Sequence, residues 1–266
     1  MKPLAEFPLD ARRAISGVLC DIDDTLSTEG RITAEAYFAM QRLQQAGLQV
    51  IPVTGRPAGW CDHIARMWPV DGVVGENGAF YFRYDRDAHK MRRHFVHDAT
   101  TRAEHRTRLA QIAQEIIRAV PGAAIAADQH YRETDLAIDF CEDVPPLPQS
   151  AINEIAQRME KHGLTAKVSS IHVNGWFGSY DKLSMTKTLM RETFAVDLDA
   201  TRDAYVFVGD SPNDAPMFGY FPHAVGVANV RDFGERVTHL PAYISLNRCG
   251  AGFAEVAESL LQARPL

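Results

Sequence analysis

The first third of the chain alternates short apolar runs with amphipathic segments. Residues 15–22 (ISGVLCDI) are almost all apolar and predict a buried parallel strand. The segment TAEAYFAMQRLQQAG has helical spacing, with Thr33 as the predicted N-cap and Gly47 as the stop. LQVIPVTGRP then predicts a strand, GWCDHIARMW a helix, and DGVVGENGAFYF a strand and a turn. This rhythm predicts an α/β fold built on a doubly wound parallel sheet.

The last third of the chain returns to the same rhythm. KLSMTKTLMRETF predicts a helix, DAYVFVGDSPND a strand that ends in an acidic turn, and APMFGYF the start of another helix. A short strand (HAVGVAN), a short helix (RDFGERVT) and a closing helix (AGFAEVAESLLQA) follow. We therefore predict one catalytic core from residues 1–83 and 178–266.

The stretch between these parts, residues 84–177, has a different character. It opens with a segment rich in Arg and His, followed by the predicted helix RLAQIAQEIIRAV and strand YRETDLAIDF. After the Pro-rich break EDVPPLPQ come the predicted helix SAINEIAQRMEKHG and strand AKVSSIHVNG. Two helix-plus-strand units predict a small inserted α/β cap over the main sheet.

Composition narrows the class of protein. The 266 residues are 46% hydrophobic and 23% charged, as in ordinary globular enzymes. A net charge of -6 offers no basic surface, so we expect no nucleic-acid partner. The four cysteines are widely spaced without a C-x-x-C pair, which argues against disulfides and zinc. The absence of a signal sequence or a long apolar run predicts a cytoplasmic location without a membrane partner.

Polar groups follow three of the predicted strands. They lie in the stretches 21–25 (DIDDT), 54–56 (TGR) and 209–214 (GDSPND). Ligands bind at the carboxyl ends of the strands in an open parallel sheet, so we expect these stretches to meet there. Converging carboxylates indicate a hard cation with oxygen ligands, and a phosphate beside it favours Mg²⁺.

These stretches also resemble a known family. The D-x-D-x-T run, the strand-terminal Thr54, a lysine ahead of a helix and the G-D-x-x-N-D turn are similar to the four motifs of the haloacid dehalogenase-like phosphohydrolase superfamily. They occur in the family's order and cover residues 15–85 and 178–262. A cap inserted after the second motif resembles subfamily IIB, the Cof-type branch that contains sugar-phosphate phosphatases.

The resemblance implies a role for each matching residue. Asp21 corresponds to the nucleophile that forms an aspartyl-phosphate, and Asp23 to the general acid/base. Thr54 would hold a phosphoryl oxygen, and Lys182 would neutralise the nucleophile and the phosphate. Lys187 is the alternative lysine, but Lys182 fits the family's spacing because it opens the predicted helix.

The resemblance also implies the metal and substrate sites. The predicted Mg²⁺ ligands are Asp21, Asp23, Asp210 and Asp214. The predicted phosphate- and substrate-binding residues are Thr25, Thr54, Gly55, Asn77, Lys182 and Asn213. In the cap, polar positions on two predicted strands are candidates for reading a polyhydroxyl group: Arg132, Glu133, Ser170, His172 and Asn174. Arg56 is expected to shape the turn after Thr54.

The prediction for function is a Mg²⁺-dependent phosphatase that acts on a small phosphorylated metabolite, above all a sugar phosphate. A phosphosugar mutase on the same fold and a catalytically silent binding protein are the alternatives. The sequence leaves open whether the protein is a monomer or a homodimer. It also leaves open the role of Asp24, which stands where the superfamily most often has Gly.

Overall fold

The central element of the fold is a parallel sheet. A computed structural model describes residues 1–264 of the chain. The six strands are parallel and lie in the spatial order β1 (Lys2–Pro3), β15 (Tyr243–Ile244), β14 (Val225–Gly226), β13 (Tyr205–Gly209), β2 (Gly17–Cys20) and β5 (Gln49–Pro52). The predicted parallel sheet is confirmed.

Helices cover both faces of this sheet. Because side chains alternate along a strand, Val18 and Cys20 pack on one face and Leu19 on the other. The helices packed on the face of Val18 are α1 (Leu9–Ala14), α2 (Ala34–Gln45), α3 (Ala58–Met67) and α9 (Cys249–Gln262). Those on the face of Leu19 are α6 (Lys182–Phe194), α7 (Leu198–Thr201) and α8 (Ala215–Tyr220). The sheet is therefore doubly wound, as the sequence predicts.

The helix ends follow the local sequence. The Thr33 side chain accepts a hydrogen bond from the N–H of Ala36 and caps α2, as predicted. Helix α6 begins at Lys182 because Asp181 and Ser184 form a reciprocal capping box in front of it. This cap fixes where the Lys182 side chain leaves the helix.

A second, antiparallel sheet extends the core. Its strands are β6 (Val73–Gly75), β7 (Phe80–Asp85) and β8 (Lys90–Phe95), and a parallel bridge between Val53 and Val74 links it to β5. The ring of Phe80 stacks on that of Phe82, the ring of Phe95 contacts both at an angle, and all three join the core cluster. The sequence analysis begins the cap at residue 84, which lies inside this hairpin. The hairpin forms because the aromatic side chains of both its strands pack in the core.

The cap elements form a separate layer. An antiparallel sheet has the order β11 (Thr165–Val168), β12 (His172–Trp176), β10 (Asp135–Asp139) and β9 (Ala124–Ile125), with α4 (Ala99–Ala119) and α5 (Gln149–Lys161) packed on it. The predicted single strand AKVSSIHVNG is in fact a hairpin. The Ser169 hydroxyl accepts hydrogen bonds from the N–H groups of Ile171 and His172 and so turns the chain. A short hairpin of β3 (Ser27–Thr28) and β4 (Arg31–Ile32) follows β2. Within residues 1–264, no helix is both long and apolar enough to cross a membrane.

One glycine in the core has a demanding position. Gly78 has a φ of +104°, and a Cβ there would lie 2.0 Å from the backbone oxygen of Asp181. Gly163 also has a positive φ, +78°, but a Cβ there would meet nothing within 4 Å. The two positions therefore separate the cost of a backbone conformation from the cost of a steric clash.

We expect Gly78→Ala to lower the free energy of unfolding by about 3 kcal/mol or more, because the Cβ forces α6 away from its place. Gly163→Ala should cost only about 1 kcal/mol. Urea denaturation of both variants measures the difference. If both variants lose the same free energy of unfolding, the predicted clash between a Cβ at residue 78 and Asp181 does not destabilise the protein.

Candidate active site

A buried lysine lies at the centre of the predicted site. The Lys182 Nζ donates to Asp21 Oδ1 and to Asp214 Oδ1, each at 2.7 Å. Asp21 follows β2, Asp214 lies in the loop after β13, and Lys182 opens α6. All three side chains are buried. Lys187, the alternative lysine, instead pairs with the exposed Asp199 at 2.6 Å.

Asp214 has both of its carboxylate oxygens engaged. Its Oδ2 accepts from the N–H groups of Asp210 (3.1 Å) and Ser211 (3.4 Å), while Oδ1 receives Lys182. A Cβ at Gly209 would come within 2.5 Å of Asp214 Oδ2, so glycine is needed for this turn. Asp214 thus fixes the loop and the lysine. Although it was predicted to bind the metal, its lone pairs are largely used by these donors.

Asp210 adds a third buried carboxylate. Oxygens of Asp21, Asp210 and Asp214 all lie within 4.8 Å of one another. Asn229 Nδ2 donates to Asp210 Oδ2 at 3.0 Å, and the Thr25 hydroxyl lies 3.5 Å from Oδ1. Burial raises the pKa of Asp210 well above its usual range, and the charges of Asp21 and Asp214 raise it further.

The cluster contains three carboxyl groups and one ammonium group. Burial likewise raises the pKa of Asp21 to about 8, although Lys182 acts in the opposite direction. Among residues 1–264, Lys182 is the only cation within 4 Å of these carboxylates. With all three carboxyl groups ionised, the cluster would carry two more negative charges than Lys182 balances, and the raised pKa values of Asp21 and Asp210 reflect this imbalance. A divalent cation with oxygen ligands would offset it, so the donor set fits such an ion.

The second predicted acid has a different partner. Arg56 Nε donates to both Asp23 oxygens, at 2.8 and 3.1 Å. The same guanidinium binds Glu142 at 2.6 Å and lies 3.5 Å from Asp128, both from the cap part of the chain. Arg56 therefore does more than shape a turn. Its position two residues after Thr54 hinted at the site, but nothing local in the sequence pointed to Glu142 or Asp128.

Asp24 occupies a left-handed turn. Its φ is +56°, a conformation that Asp tolerates better than most residues. Its N–H donates to the Ser27 hydroxyl at 3.1 Å, and its carbonyl accepts from Asn229 Nδ2 at 2.9 Å. Asn229 thus ties the turn at Asp24 to Asp210. The sequence analysis did not single out Asn229.

The strand-end threonine and its neighbours form the other wall of the site. Thr54 Oγ1 accepts from the Arg56 N–H (3.0 Å), and the Thr54 carbonyl accepts from the Asn77 N–H (3.0 Å). The Asn77 side chain is buried, and its Nδ2 has no hydrogen-bond partner among residues 1–264. A Cβ at Gly55 would lie 3.1 Å from this Nδ2. The amide is therefore a donor available to a ligand.

Most of the predicted cap residues reach the site. A small cavity of about 10 Å³, lined by Asp21 and Asp23 from the core, also contains Arg132, Ser170, His172, Asn174 and Asn213. Glu133 is different. It pairs with Arg106 at 2.6 Å near the surface, outside the lining of this cavity, so its expected place among the substrate readers is not what the structure shows. Along this stretch Arg132 and Thr134 are buried, and Glu133 points outward between them.

A buried glutamate that the sequence analysis missed joins the core to the cap. Glu76 Oε1 accepts from the N–H groups of Ala58 in α3 and Glu133 in the cap, both at 2.9 Å. Its Oε2 accepts from the N–H of Thr134 at 2.7 Å and also from the Thr134 hydroxyl. Burial raises the pKa of Glu76 to about 7. Glu76 lies beside Asn77 in GENG, the one signal that could have drawn attention to it.

The chain is similar to known hydrolases. Residues 18–121 match the family described as haloacid dehalogenase-like hydrolase. Phosphoglycolate phosphatase 1 of Saccharolobus solfataricus is 23% identical over 92% of this chain and 95% of its own length.

Two solved structures share the fold. A Thermoplasma acidophilum protein, 0175, has a TM-score of 0.69 at 18% identity and covers 94% of this chain and 99% of its own. The sucrose-phosphatase of Synechocystis sp. PCC6803, solved with sucrose and phosphate, has a TM-score of 0.62 at 14% identity, covering 92% and 98%. The predicted resemblance to the haloacid dehalogenase-like hydrolases is therefore confirmed by the family match over residues 18–121 and, for the sugar-phosphatase branch, by likeness of fold.

The contacts of Glu142 generate a prediction about pH. Burial alone would raise its pKa, but His172, 2.9 Å away, and Arg56 lower it to about 2. Because the pKa in the folded state lies below the unfolded value, this carboxylate stabilises the fold above about pH 4.5, and the contribution fades as the pH falls towards 2.

We expect Glu142→Gln to lower the free energy of unfolding at pH 7 by about 1 to 3 kcal/mol, since Arg56 and His172 lose a charged partner. The gap between wild type and variant should close as the pH falls from 4.5 towards 2. Chemical denaturation across this range measures it, with the surface variant Glu133→Gln as the control. A gap that does not depend on pH would contradict the assignment.

Proposed function

We propose that the protein is a Mg²⁺-dependent phosphatase that hydrolyses a small sugar phosphate through an aspartyl-phosphate. The observation that carries the proposal is the position of Lys182 between Asp21 and Asp214 at the carboxyl ends of β2 and β13. A buried ammonium beside a carboxylate whose second oxygen is open offers a nucleophile and a charge for a phosphoryl group.

The chemistry needs two steps. The free oxygen of Asp21 attacks phosphorus, and the bond from phosphorus to the leaving oxygen breaks while Asp23 gives that oxygen a proton. Asp23 then takes a proton from water, whose oxygen attacks the phosphorus of the aspartyl-phosphate, and the bond from phosphorus to the Asp21 oxygen breaks. The products are inorganic phosphate, the free alcohol and the original Asp21. Arg56 holds the Asp23 side chain in place for both proton transfers.

Three further groups act on the phosphoryl oxygens. Lys182 supplies a positive charge, and the unpartnered Asn77 Nδ2 and the Thr54 hydroxyl supply hydrogen bonds. Their buried setting strengthens each of these interactions because water does not compete. Gly55 and Asn213 line the small cavity, and the buried Thr25 hydroxyl lies beside Asp210.

Magnesium would be held by the carboxylates of Asp21 and Asp210 together with the backbone carbonyl of Asp23. Asp214 would orient Lys182 and the loop, since donors already occupy both its oxygens. The bound ion would offset the two uncompensated negative charges and the charge of the incoming phosphate. This proposal keeps Mg²⁺ and three of its four predicted ligands, and it gives Asp214 a different role.

The cap wall supports a hydroxyl-rich leaving group. Arg132 is bonded to Asp128 and Asp135, and Arg56 to Asp23 and Glu142, so neither guanidinium is left free for a substrate carboxylate. Ser170, Asn174 and Asn213 offer neutral donors and acceptors to the same cavity. Sucrose-phosphatase shares the fold, whereas the similar archaeal protein is named a phosphoglycolate phosphatase. Because both arginines are already paired with carboxylates, the site favours a sugar phosphate over 2-phosphoglycolate, whose carboxylate would need a free cation.

The two alternatives find less support. A mutase must hold a second phosphate in the cap, but the charge of Arg132 there is already neutralised. A silent binding protein would have no need for the buried charge cluster at Lys182, which is costly to keep. We also propose that residues 84–177, apart from the part of the β7–β8 hairpin that they include, act as the cap that excludes water and reads the leaving group. The rest of the chain is the core.

We expect Asp21→Asn to reduce kcat by about 10⁴-fold or more, because an amide oxygen cannot form the acyl-phosphate. Asp24→Asn is the matched control: Asn also tolerates a positive φ, and kcat should stay within a few-fold of wild type. Release of inorganic phosphate measures both. If Asp21→Asn turns over the substrate nearly as fast as wild type, Asp21 is not the nucleophile.

We expect hexose phosphates to be hydrolysed with a higher kcat/KM than 2-phosphoglycolate, since the paired arginines offer no free charge to a carboxylate. Phosphate release from each compound, with and without EDTA, provides the test, and parallel detection of isomeric hexose phosphates tests for mutase activity. EDTA should stop release and added Mg²⁺ should restore it. A preference for 2-phosphoglycolate would overturn the assignment of a sugar phosphate as substrate. Full activity in EDTA would overturn the assignment of Mg²⁺ as cofactor.

A further inference from the structure

The space around Asp21 and Asp23 raises the question of where the leaving group lies. The cavity that contains both carboxylates has a volume of about 10 Å³, close to that of one water molecule. A sugar is much larger. Since Asp23 must touch the leaving oxygen, the rest of the leaving group has to occupy a cavity that Asp23 also lines.

One neighbouring cavity meets this condition. A cleft of about 580 Å³ opens on the far side of Asp23 and Arg56, which form its inner wall. We call it the aromatic cleft, because Trp60, Trp68 and Tyr131 line it. Its volume is that of a small-molecule site, and its surface is mainly apolar with a few polar groups.

The other cavities near the site do not reach the proposed acid. A cavity of about 200 Å³ contains Asn77 and Lys182 but not Asp23. Another, of about 530 Å³, lies between Lys167 in the cap and Arg236 in the core, and neither Asp21 nor Asp23 lines it. A leaving group in either place would lie away from its proton donor.

The aromatic cleft has two exposed rings, one from each layer. Trp60 in α3 is 41% exposed and Tyr131 in the cap is 50% exposed. Tyr131 lies over Gly59, where a Cβ would come within 2.9 Å of the Tyr131 Cβ. The two rings line one cleft and so form a continuous apolar surface, which is the kind of surface that marks binding sites. The absence of a side chain at Gly59 lets the cap ring come close to Trp60.

We propose that the aromatic cleft binds the ring of the sugar leaving group, with Trp60 and Tyr131 as its stacking surfaces. This inference rests on the proposed function and names the substrate class more closely: a phosphate ester of a cyclic sugar, not of a short open chain. A pyranose ring has an apolar C–H face for the aromatic rings. Its hydroxyl edge meets the polar groups of the cleft, Ser27 and His63.

Arg56 connects the cleft to the chemistry. Its guanidinium lies 4.4 Å from the centre of the Trp60 ring and also binds Asp23. A change at Trp60 can therefore act on the sugar directly or on Asp23 through Arg56. Trp60→Phe is the conservative variant, because it keeps an aromatic face for both the sugar and Arg56. Tyr131→Ala separates the two effects, because within residues 1–264 the Arg56 guanidinium lies over the Trp60 ring and not over that of Tyr131.

The experiment compares kcat/KM for glucose 6-phosphate, glycerol 3-phosphate and adenosine 5′-monophosphate. In Trp60→Ala and in Tyr131→Ala, the ratio for glucose 6-phosphate over glycerol 3-phosphate should fall about three- to tenfold, as expected for the loss of one stacking ring. Trp60→Phe should recover most of the ratio. Phe38→Ala, which removes an exposed ring on α2, is the control and should leave the ratio unchanged.

Each other outcome has a distinct meaning. If the ratio is unchanged in both alanine variants, the aromatic cleft does not bind the leaving group. If wild type hydrolyses glycerol 3-phosphate but not glucose 6-phosphate, the cyclic-sugar inference fails while the phosphatase stands. If Trp60→Ala lowers kcat/KM more for adenosine 5′-monophosphate than for glucose 6-phosphate, the cleft binds a nucleobase, and the assignment of a sugar ring is wrong. If no ester releases phosphate, the proposed function itself fails.

Discussion

The burial of three carboxylates around one ammonium is the constraint on which the rest of the structure depends. Such a group is unstable unless its charges are held in fixed geometry, and Lys182 binds Asp21 and Asp214 at 2.7 Å each. This requires helix α6 to begin at one residue, which the capping box of Asp181 ensures. It also brings the turn at Gly78 against Asp181 without room for a side chain. The excess negative charge that remains is what makes the site suitable for a divalent cation and a phosphate.

A second set of charges ties the site to the cap. Arg56 binds Asp23 in the core and Glu142 in the cap, and Glu76 accepts hydrogen bonds from the backbone at Thr134. In the proposed mechanism, the orientation of Asp23 thus depends on contact between the two layers. Proton transfer would be best prepared when the cap lies over the substrate and keeps water away.

In the proposed function, the surroundings of Asp23 divide substrate recognition into two regions. Next to the phosphoryl position, the protein offers charge and fixed donors, and the arginines there are already paired with carboxylates. Beyond Asp23, the aromatic cleft offers Trp60 and Tyr131, rings that recognise shape and an apolar face. A site of this kind distinguishes substrates by their leaving group, while the phosphoryl chemistry stays the same.

The sequence by itself determined the sheet, most of its helices and the meeting of the motif residues. Strand periodicity marks where each strand ends, and the ends of parallel strands share one edge, so Asp21, Thr54 and Asp210 had to converge. Spacing also favoured Lys182, the lysine found in the cluster. The hairpin at residues 80–95 escaped prediction because its Arg-rich outer face hides the aromatic positions that pack inside.

Only the tertiary structure decided how the cap meets the core. Arg56 and Glu142 are 86 positions apart, and Glu76 and Thr134 are 58 apart. No local pattern encodes these pairs, because each depends on how one folded layer docks on another. The same holds for the aromatic cleft. Trp60 and Tyr131 belong to different layers, and each by itself has the pattern of an ordinary surface aromatic residue. Local periodicity sets the elements, whereas the packing of the two layers sets which side chains face the substrate.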